Sequence, residues 1–242
     1  SGNSVIWQSR TRGNAVSQLR LEPTGGLTLV RTDSTTAWTS TPGTASGTRL
    51  VLQNNGALEV VTGAGAVLWS SAVQGSVQFR LPWTSGARWS AGGAHGDWGQ
   101  RNALDFGPSG SASPRVLSIA DGTVRWVSCG SRGYLAVEHA DSWTSSYYHL
   151  ANAQTQLVGQ RVPAGTYLGD AARAVPCGGG ATFNHVHLSI TYKGMAVPMN
   201  GFVLGGFTVY ASANPYSGYF LDGNGNRVLT APDGARCCLQ AP

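Results

Sequence analysis

The stretch "FNHVHLSI" (183–190) sets His185 and His187 on either side of a single valine, inside a run that alternates as a β-strand does. On a strand, side chains i and i+2 point to the same face, so the two imidazoles stand side by side while Val186 turns to the core. That spacing lets one imidazole ligate a metal while the other reaches a neighbouring water. Two half-exposed strand histidines making ordinary hydrogen bonds are the alternative reading.

Outward from this strand, the composition is that of a turn-rich, mainly β protein. Among 242 residues 34 are glycine, about twice the usual share, and only 11% are charged. Val, Thr, Ser and Tyr are frequent, so little helix is expected. The length allows one large domain or two modest ones, each with its own core. No apolar run approaches the ~18 residues of a membrane span. The chain opens on "SGNSVIWQS", with neither a basic n-region nor an apolar h-region. Any export signal or pro-segment has therefore already been removed or never existed, and the expectation is a secreted, extracellular mature form. The net charge is +5, and 15 of the 16 basic residues are arginine, Lys193 being the exception. The arginines are scattered singly, without the stripe of a nucleic-acid binder, so an anionic wall or matrix fits this surface better than nucleic acid. A monomer is expected.

Cysteines stand at 129, 177, 237 and 238, and match no C-x-x-C metal or redox motif. A Cys129–Cys177 bond would close a loop of nearly fifty residues and contribute roughly 4 kcal/mol by the chain-entropy model. Cys237 and Cys238 are adjacent, with Cα atoms ~3.8 Å apart, so a bond between them would be strained yet possible. Free thiols are the alternative for that pair. Pairing points to an oxidising compartment.

The first seventy residues repeat. Trp7 ("WQS"), Trp38 ("WTS") and Trp69 ("WSS") recur with a period of 31, and "LRLEPTGGLTLV" (19–30) aligns without gaps on "LVLQNNGALEVV" (50–61). Each unit reads as apolar strands around a glycine turn, a small sheet with a central tryptophan. One such sheet cannot bury its face alone, so three stacked about an axis are expected. The spacing and W-x-S endings resemble the bulb-type mannose-binding lectins over residues 1–75, which implies a β-prism. In that family the sugar pocket reads Q-x-D-x-N-x-V-x-Y. The second unit offers Gln53, Asn55, Ala57, Glu59 and Val61 at those positions, and the first offers Glu22, Thr24, Gly26, Thr28 and Val30. The resemblance therefore implies a degenerate sugar site at Gln53 and Asn55, and a prism kept for packing or docking is equally open.

From about residue 78 the repeat stops, and all five histidines (95, 139, 149, 185 and 187) lie beyond it. The expected division is a repeat domain over 1–77 and a second domain over 78–242. In "GGAHGDWGQRNALDFG" (92–107), His95 sits in a glycine-rich loop and Asp105 in the apolar run "ALDF", where a carboxylate needs a partner. Two imidazoles and one carboxylate form a common catalytic zinc set with the fourth position left for water. "TSSYYHL" (144–150) sets His149 behind two tyrosines, where it could supply a further imidazole. His139 in "LAVEHADS" reads as structural. "LSIADGTVRWVS" (117–128) and "LSITYKGMAV" (188–197) read as hairpins about D-G and K-G turns.

Taken in order, H-x9-D, Y-H-L and H-x-H resemble the lysostaphin-type zinc endopeptidases, and more closely their β-lytic and staphylolysin branch, over residues 79–242. "LPWTSGARWSAGGAHG" (81–96) and the tail strengthen that match. The resemblance implies an antiparallel β-sheet metallopeptidase domain with a zinc-bearing groove. It implies one Zn2+ on His95, Asp105 and His187, catalytic roles for His149 and His185, and an oxyanion-steadying tyrosine that Tyr216 matches best, with Tyr210 and Tyr219 nearby. The tail departs from the branch, in which the second cysteine pair is spread about a dozen residues apart. No H-E-x-x-H carboxylate base is present, so the two further imidazoles would carry the proton transfers. The activity implied is bacteriolytic hydrolysis of glycine-containing bonds in peptidoglycan cross-bridges or stem peptides. An elastin-type peptidase, a zinc amidase and a non-enzymatic wall- or glycan-binding lectin are the alternatives.

Overall fold

The computed structural model describes residues 9, 13–40, 46–52, 58–71, 77–96, 101–212, 214–230 and 238–242, among which the strands and sheets are counted. It forms two compact units, Ser1–Gly75 and Ser76–Pro242. Nearly all regular structure is antiparallel β, apart from short 3-10 turns at Ala140–Ser142 and Thr155–Leu157.

The first unit is built on the 31-residue repeat. Strands β1 (Val16–Leu21), β2 (Leu27–Arg31) and β3 (Thr36–Thr39) form one sheet, and β4 (Arg49–Leu52), β5 (Leu58–Val61) and β6 (Val67–Ser70) form another. The repetition reaches single bonds. Leu29 faces Trp38, and Val60 faces Trp69. The Leu27 N–H donates to Ser40 Oγ at 2.8 Å, and the Leu58 N–H donates to Ser71 Oγ at 2.9 Å. The serines of the second and third W-x-S endings thus each satisfy a backbone donor at the start of a central strand. Trp38 and Trp69 meet edge to face with centroids 5.5 Å apart, against a core of Leu27, Val60 and Trp69. Trp7, Gln53 and Asn55 lie outside the described residues.

The second unit comprises β7 (Arg88–Ala91), β8 (Ala103–Pro108), β9 (Arg115–Leu117), β10 (Gly122–Cys129), β11 (Arg132–Glu138), β12 (Trp143–Tyr148), β13 (Leu150–Ala151), β14 (Arg161–Val162), β15 (Tyr167–Ala171), β16 (Val186–Tyr192), β17 (Met195–Ala196), β18 (Val203–Leu204), β19 (Phe207–Ala211), β20 (Gly218–Leu221), β21 (Arg227–Leu229) and β22 (Leu239–Gln240). A nine-stranded sheet runs β14-β10-β11-β12-β16-β8-β7-β22, with β17 also on β16. Two smaller sheets, β13-β15-β9 and β18-β19-β20-β21, complete the unit. The alternation read from "VHLSI" holds along β16: Val186, Leu188, Ile190 and Tyr192 are buried, and the residues between them are partly exposed. Aromatic side chains fill the core. Trp83 stacks on Trp89 at 5.0 Å, and Phe79 touches both Trp143 and Phe202.

Of the two expected hairpins, one forms. Lys193 and Gly194 both have positive φ, 51° and 77°, and join β16 to β17 with Tyr192 opposite Met195. Such a pair of dihedrals is what a two-residue I′ turn demands. The D-G expectation is corrected: β9 pairs with β15, whereas β10 pairs with β11 and β14. The intervening chain passes between sheets, held by Ser118 N–H to Thr166 O at 2.8 Å and Ile119 N–H to the Tyr147 hydroxyl at 2.9 Å. Gly122 serves close packing there, since a Cβ would meet the Glu138 carbonyl and Val137.

Candidate active site

Three adjacent strands position most of the site. His187 of β16 lies opposite Asp105 of β8 on one side and Tyr148 of β12 on the other. Directly opposed residues in an antiparallel ladder have Cβ atoms about 5 Å apart, so register alone brings the carboxylate to the imidazole. His95 arrives by a different route. The chain leaves β7 through Gly92 and Gly93, and His95 bridges back to Ala103.

The three side chains meet at a point. His95 Nε2 and His187 Nδ1 lie 3.2 and 3.0 Å from Asp105 Oδ1, and 3.1 Å from each other. Ligands about 2.0–2.1 Å from a tetrahedral ion stand roughly 3.3 Å apart, so this donor set fits a zinc ion in size as well as in chemistry. The Gly93 carbonyl accepts the His95 Nδ1–H at 3.0 Å, which leaves Nε2 bare toward the other two groups. Burial alone would raise the Asp105 carboxyl. The adjoining His187 and His95 imidazoles outweigh it and hold the group well below the usual carboxylate range, so it is ionised as a ligand must be.

Two more imidazoles adjoin the triad. His149 follows β12 with a left-handed φ of 65°, which ends the strand and turns the ring toward His185, 4.4 Å away between centroids. Both rings are buried. Each has its Nδ1–H accepted by a backbone carbonyl at 2.8 Å, Ala174 for His149 and Phe183 for His185. In the neutral ring this leaves Nε2 as the proton acceptor. Burial pushes the His149 pKa down to about 4, against the pull of its Ala174 hydrogen bond, so the imidazole is neutral at neutral pH. His185 Nε2 lies 3.6 Å from Asp105 Oδ1.

Tyr216, between β19 and β20, stacks on His95 with centroids 4.0 Å apart and is 37% exposed. Its carbonyl accepts the Gly93 N–H at 2.9 Å, and a Cβ on Gly93 would stand 2.5 Å from the Tyr216 carbonyl carbon. The glycine is what admits this segment to the site. Tyr210 and Tyr219 stack on each other instead, at 4.5 Å.

A family model described as Peptidase family M23 matches residues 100–199. The β-lytic metalloendopeptidase of Lysobacter enzymogenes is 30% identical over 181 residues, covering 68% of this chain and 93% of that protein. The chain belongs to peptidase family M23. Protease LasA of Pseudomonas aeruginosa is 32% identical over 148 residues, 57% of this chain. The match spans only 34% of LasA, about a third of its length. The solved structure of the deep-sea M23 metalloprotease pseudoalterin is 26% identical with a TM-score of 0.57, covering 68% of this chain and 99% of that one.

Within the second unit, the structure gathers His95, Asp105, His149, His185, His187 and Tyr216 in one place and leaves His139 elsewhere. The His139 Nδ1–H donates to the Asp121 carbonyl at 2.8 Å, and its Nε2 meets Ser145 Oγ at 2.7 Å, at the end of β12 far from His149. Cys129 and Cys177 form a disulfide. Cys238 is disulfide-bonded as well, and Cys237 lies outside the described residues. No helix among the described residues is long and apolar enough to cross a membrane. The residues that sequence reasoning missed are Ala174, Phe183 and Gly93. The first two act through backbone carbonyls, which every residue has; only the glycine left a signal, in "GGAHG".

Proposed function

We propose that this chain is a secreted bacteriolytic zinc endopeptidase that hydrolyses glycine-containing peptide bonds in bacterial peptidoglycan. The reading rests above all on the convergence of His95 Nε2, Asp105 Oδ1 and His187 Nδ1 beside two imidazoles whose Nδ1–H groups are already committed. Those three residues are the proposed ligands of one Zn2+. When bound, zinc supplies Lewis acidity, which acidifies water and polarises a carbonyl.

The remaining chemistry belongs to the protein. His149, neutral and bare at Nε2, accepts a proton from the attacking water and carries it to the leaving amine nitrogen. His185 holds the same water or the developing oxyanion from the other side. Tyr216 contributes its hydroxyl to that oxyanion, with its ring held against His95. A groove among β-strands accepts an extended peptide, and glycine lets the backbone approach closely. The basic surface favours residence on an anionic wall. Residues 1–77 act as a separate lectin-like module that docks on wall glycans, and residues 78–242 form the peptidase.

The test is to incubate the purified chain with peptidoglycan and with pentaglycine, with and without a chelator, and to identify new amino termini by mass spectrometry. Chelator-sensitive cleavage at glycyl bonds is expected. Release of the stem peptide from its sugar, or no cleavage at all, would reject the endopeptidase.

A further inference from the structure

The loop of residues 172–184 touches both acid–base histidines, through five hydrogen bonds. At its neck, the Ala172 N–H lies 3.0 Å from the His149 carbonyl and 3.3 Å from the His185 carbonyl, and the His185 N–H donates to Ala172 O at 3.1 Å. Further along, Ala174 O accepts the His149 Nδ1–H and Phe183 O accepts the His185 Nδ1–H, both at 2.8 Å. The Phe183 ring also lies on His185, with centroids 4.5 Å apart. One segment therefore decides which nitrogen of each imidazole carries the proton.

This segment has little structure of its own to hold it. Gly178, Gly179 and Gly180 are exposed, and a Cβ on any of them would meet nothing within 4 Å. A stretch with so few packing contacts keeps its shape only through its ties to the body of the fold. Beyond its bonds to the two histidines, a disulfide and a tyrosine hydroxyl tie the loop down, and they meet at one point. Cys177 is bonded to Cys129 at the end of β10, in the large sheet. The Tyr148 hydroxyl accepts the Cys177 N–H at 2.7 Å and donates to the Gly178 carbonyl at 2.8 Å. The Tyr148 ring is itself held between His149 at 4.5 Å and Tyr134 at 5.3 Å.

We propose that loop 172–184 orients both catalytic histidines, and that the Cys129–Cys177 disulfide and the Tyr148 hydroxyl are positioning groups which anchor it for the proton transfers. The inference rests on the acid–base roles proposed for His149 and His185. A disulfide that merely shortened the unfolded chain would change stability and leave turnover alone. An anchor changes turnover at constant substrate binding.

The experiment compares the full zinc-loaded chain with Tyr148→Phe and with the double variant Cys129→Ser/Cys177→Ser, all labelled with 15N-histidine. Pentaglycine kinetics, bound zinc and the imidazole Nδ1–H resonances are measured on each. Tyr148→Phe leaves the disulfide in place, so the proposal stays testable if the cysteine variant folds poorly. Both variants should keep their zinc and a KM within about twofold, while kcat falls between about tenfold and a hundredfold, the scale of a displaced catalytic group. The Nδ1–H signals of His149 and His185 should broaden or exchange faster with water. Variants that lose only thermal stability, with kcat and both Nδ1–H signals as in the parent, would overturn the proposal. A parent chain that does not cleave pentaglycine would count against the peptidase reading alone, and the Nδ1–H signals would still decide whether the anchors orient the rings.

Discussion

His187 and His149 are neighbours that mutation should separate. Alanine at 187 removes Nδ1 from the three converging donors, so His187→Ala should lose its zinc, measured by atomic emission, and its activity together. Alanine at 149 leaves all three donors in place. His149→Ala should bind one zinc and lose about 10²–10⁴-fold in kcat, the usual contribution of a general acid or base. Full turnover in His149→Ala would remove it from the mechanism. At this scale the sequence was informative wherever chemistry resides in a side chain. The period of two in "HVH" needs no tertiary information, and a carboxylate inside "ALDF" signals its own need for partners. Tyr216 was only half legible. Its residue type marks a candidate, but the choice over Tyr210 and Tyr219 depends on the backbone approach at Gly93. The Ala174 and Phe183 carbonyls were illegible, because a carbonyl does not depend on residue type.

The strands carry a parallel lesson. Two G-containing dipeptides looked alike in the sequence, yet the glycines have different tasks. Gly194 has a positive φ in a tight hairpin, and a Cβ there would meet open space. Gly122 lies in β10, and a Cβ there would collide with the Glu138 carbonyl and stand 2.7 Å from Val137 Cγ1. The two substitutions should therefore behave differently. Gly122→Ala should cost about 1–3 kcal/mol by overpacking. Gly194→Ala should cost about 1 kcal/mol, from backbone strain alone. Urea unfolding of the two variants measures this, and an equal loss would contradict the assignment. The alternation of β16 and the K-G turn were readable because they are local. The partner of β9 was not, since pairing Leu117 with Tyr167 joins residues fifty positions apart in the chain.

For the whole molecule, the repeat and the second unit make different demands on polar groups. In the first unit the same serine-to-amide bond is made twice, by Ser40 and by Ser71, and Ser40→Ala and Ser71→Ala should each weaken the unit by about 1 kcal/mol. Hydrogen exchange should quicken at the Leu27 amide in the first variant and at the Leu58 amide in the second, and exchange unchanged in both would contradict the shared role. The second unit buries the titratable ring of His139. Desolvation lowers the pKa of His139 from its ordinary 6.5, against the opposing bond to the Asp121 carbonyl and the charge of Asp121. The unfolded chain therefore takes up a proton on this histidine at a higher pH than the folded chain does. Wherever the unfolded state binds more protons, stability falls as the pH falls, so this contribution is complete above the ordinary value and is lost progressively below it. The lowered His149 acts in the same direction. Comparing His139→Asn with the parent isolates the share due to His139, because every other titration is common to both. Urea midpoints taken from about pH 7.5 down to about pH 5.5, across the ordinary histidine range, should fall in both proteins and fall less in His139→Asn. Parallel slopes would mean that His139 is as easily protonated in the folded chain as in the unfolded one.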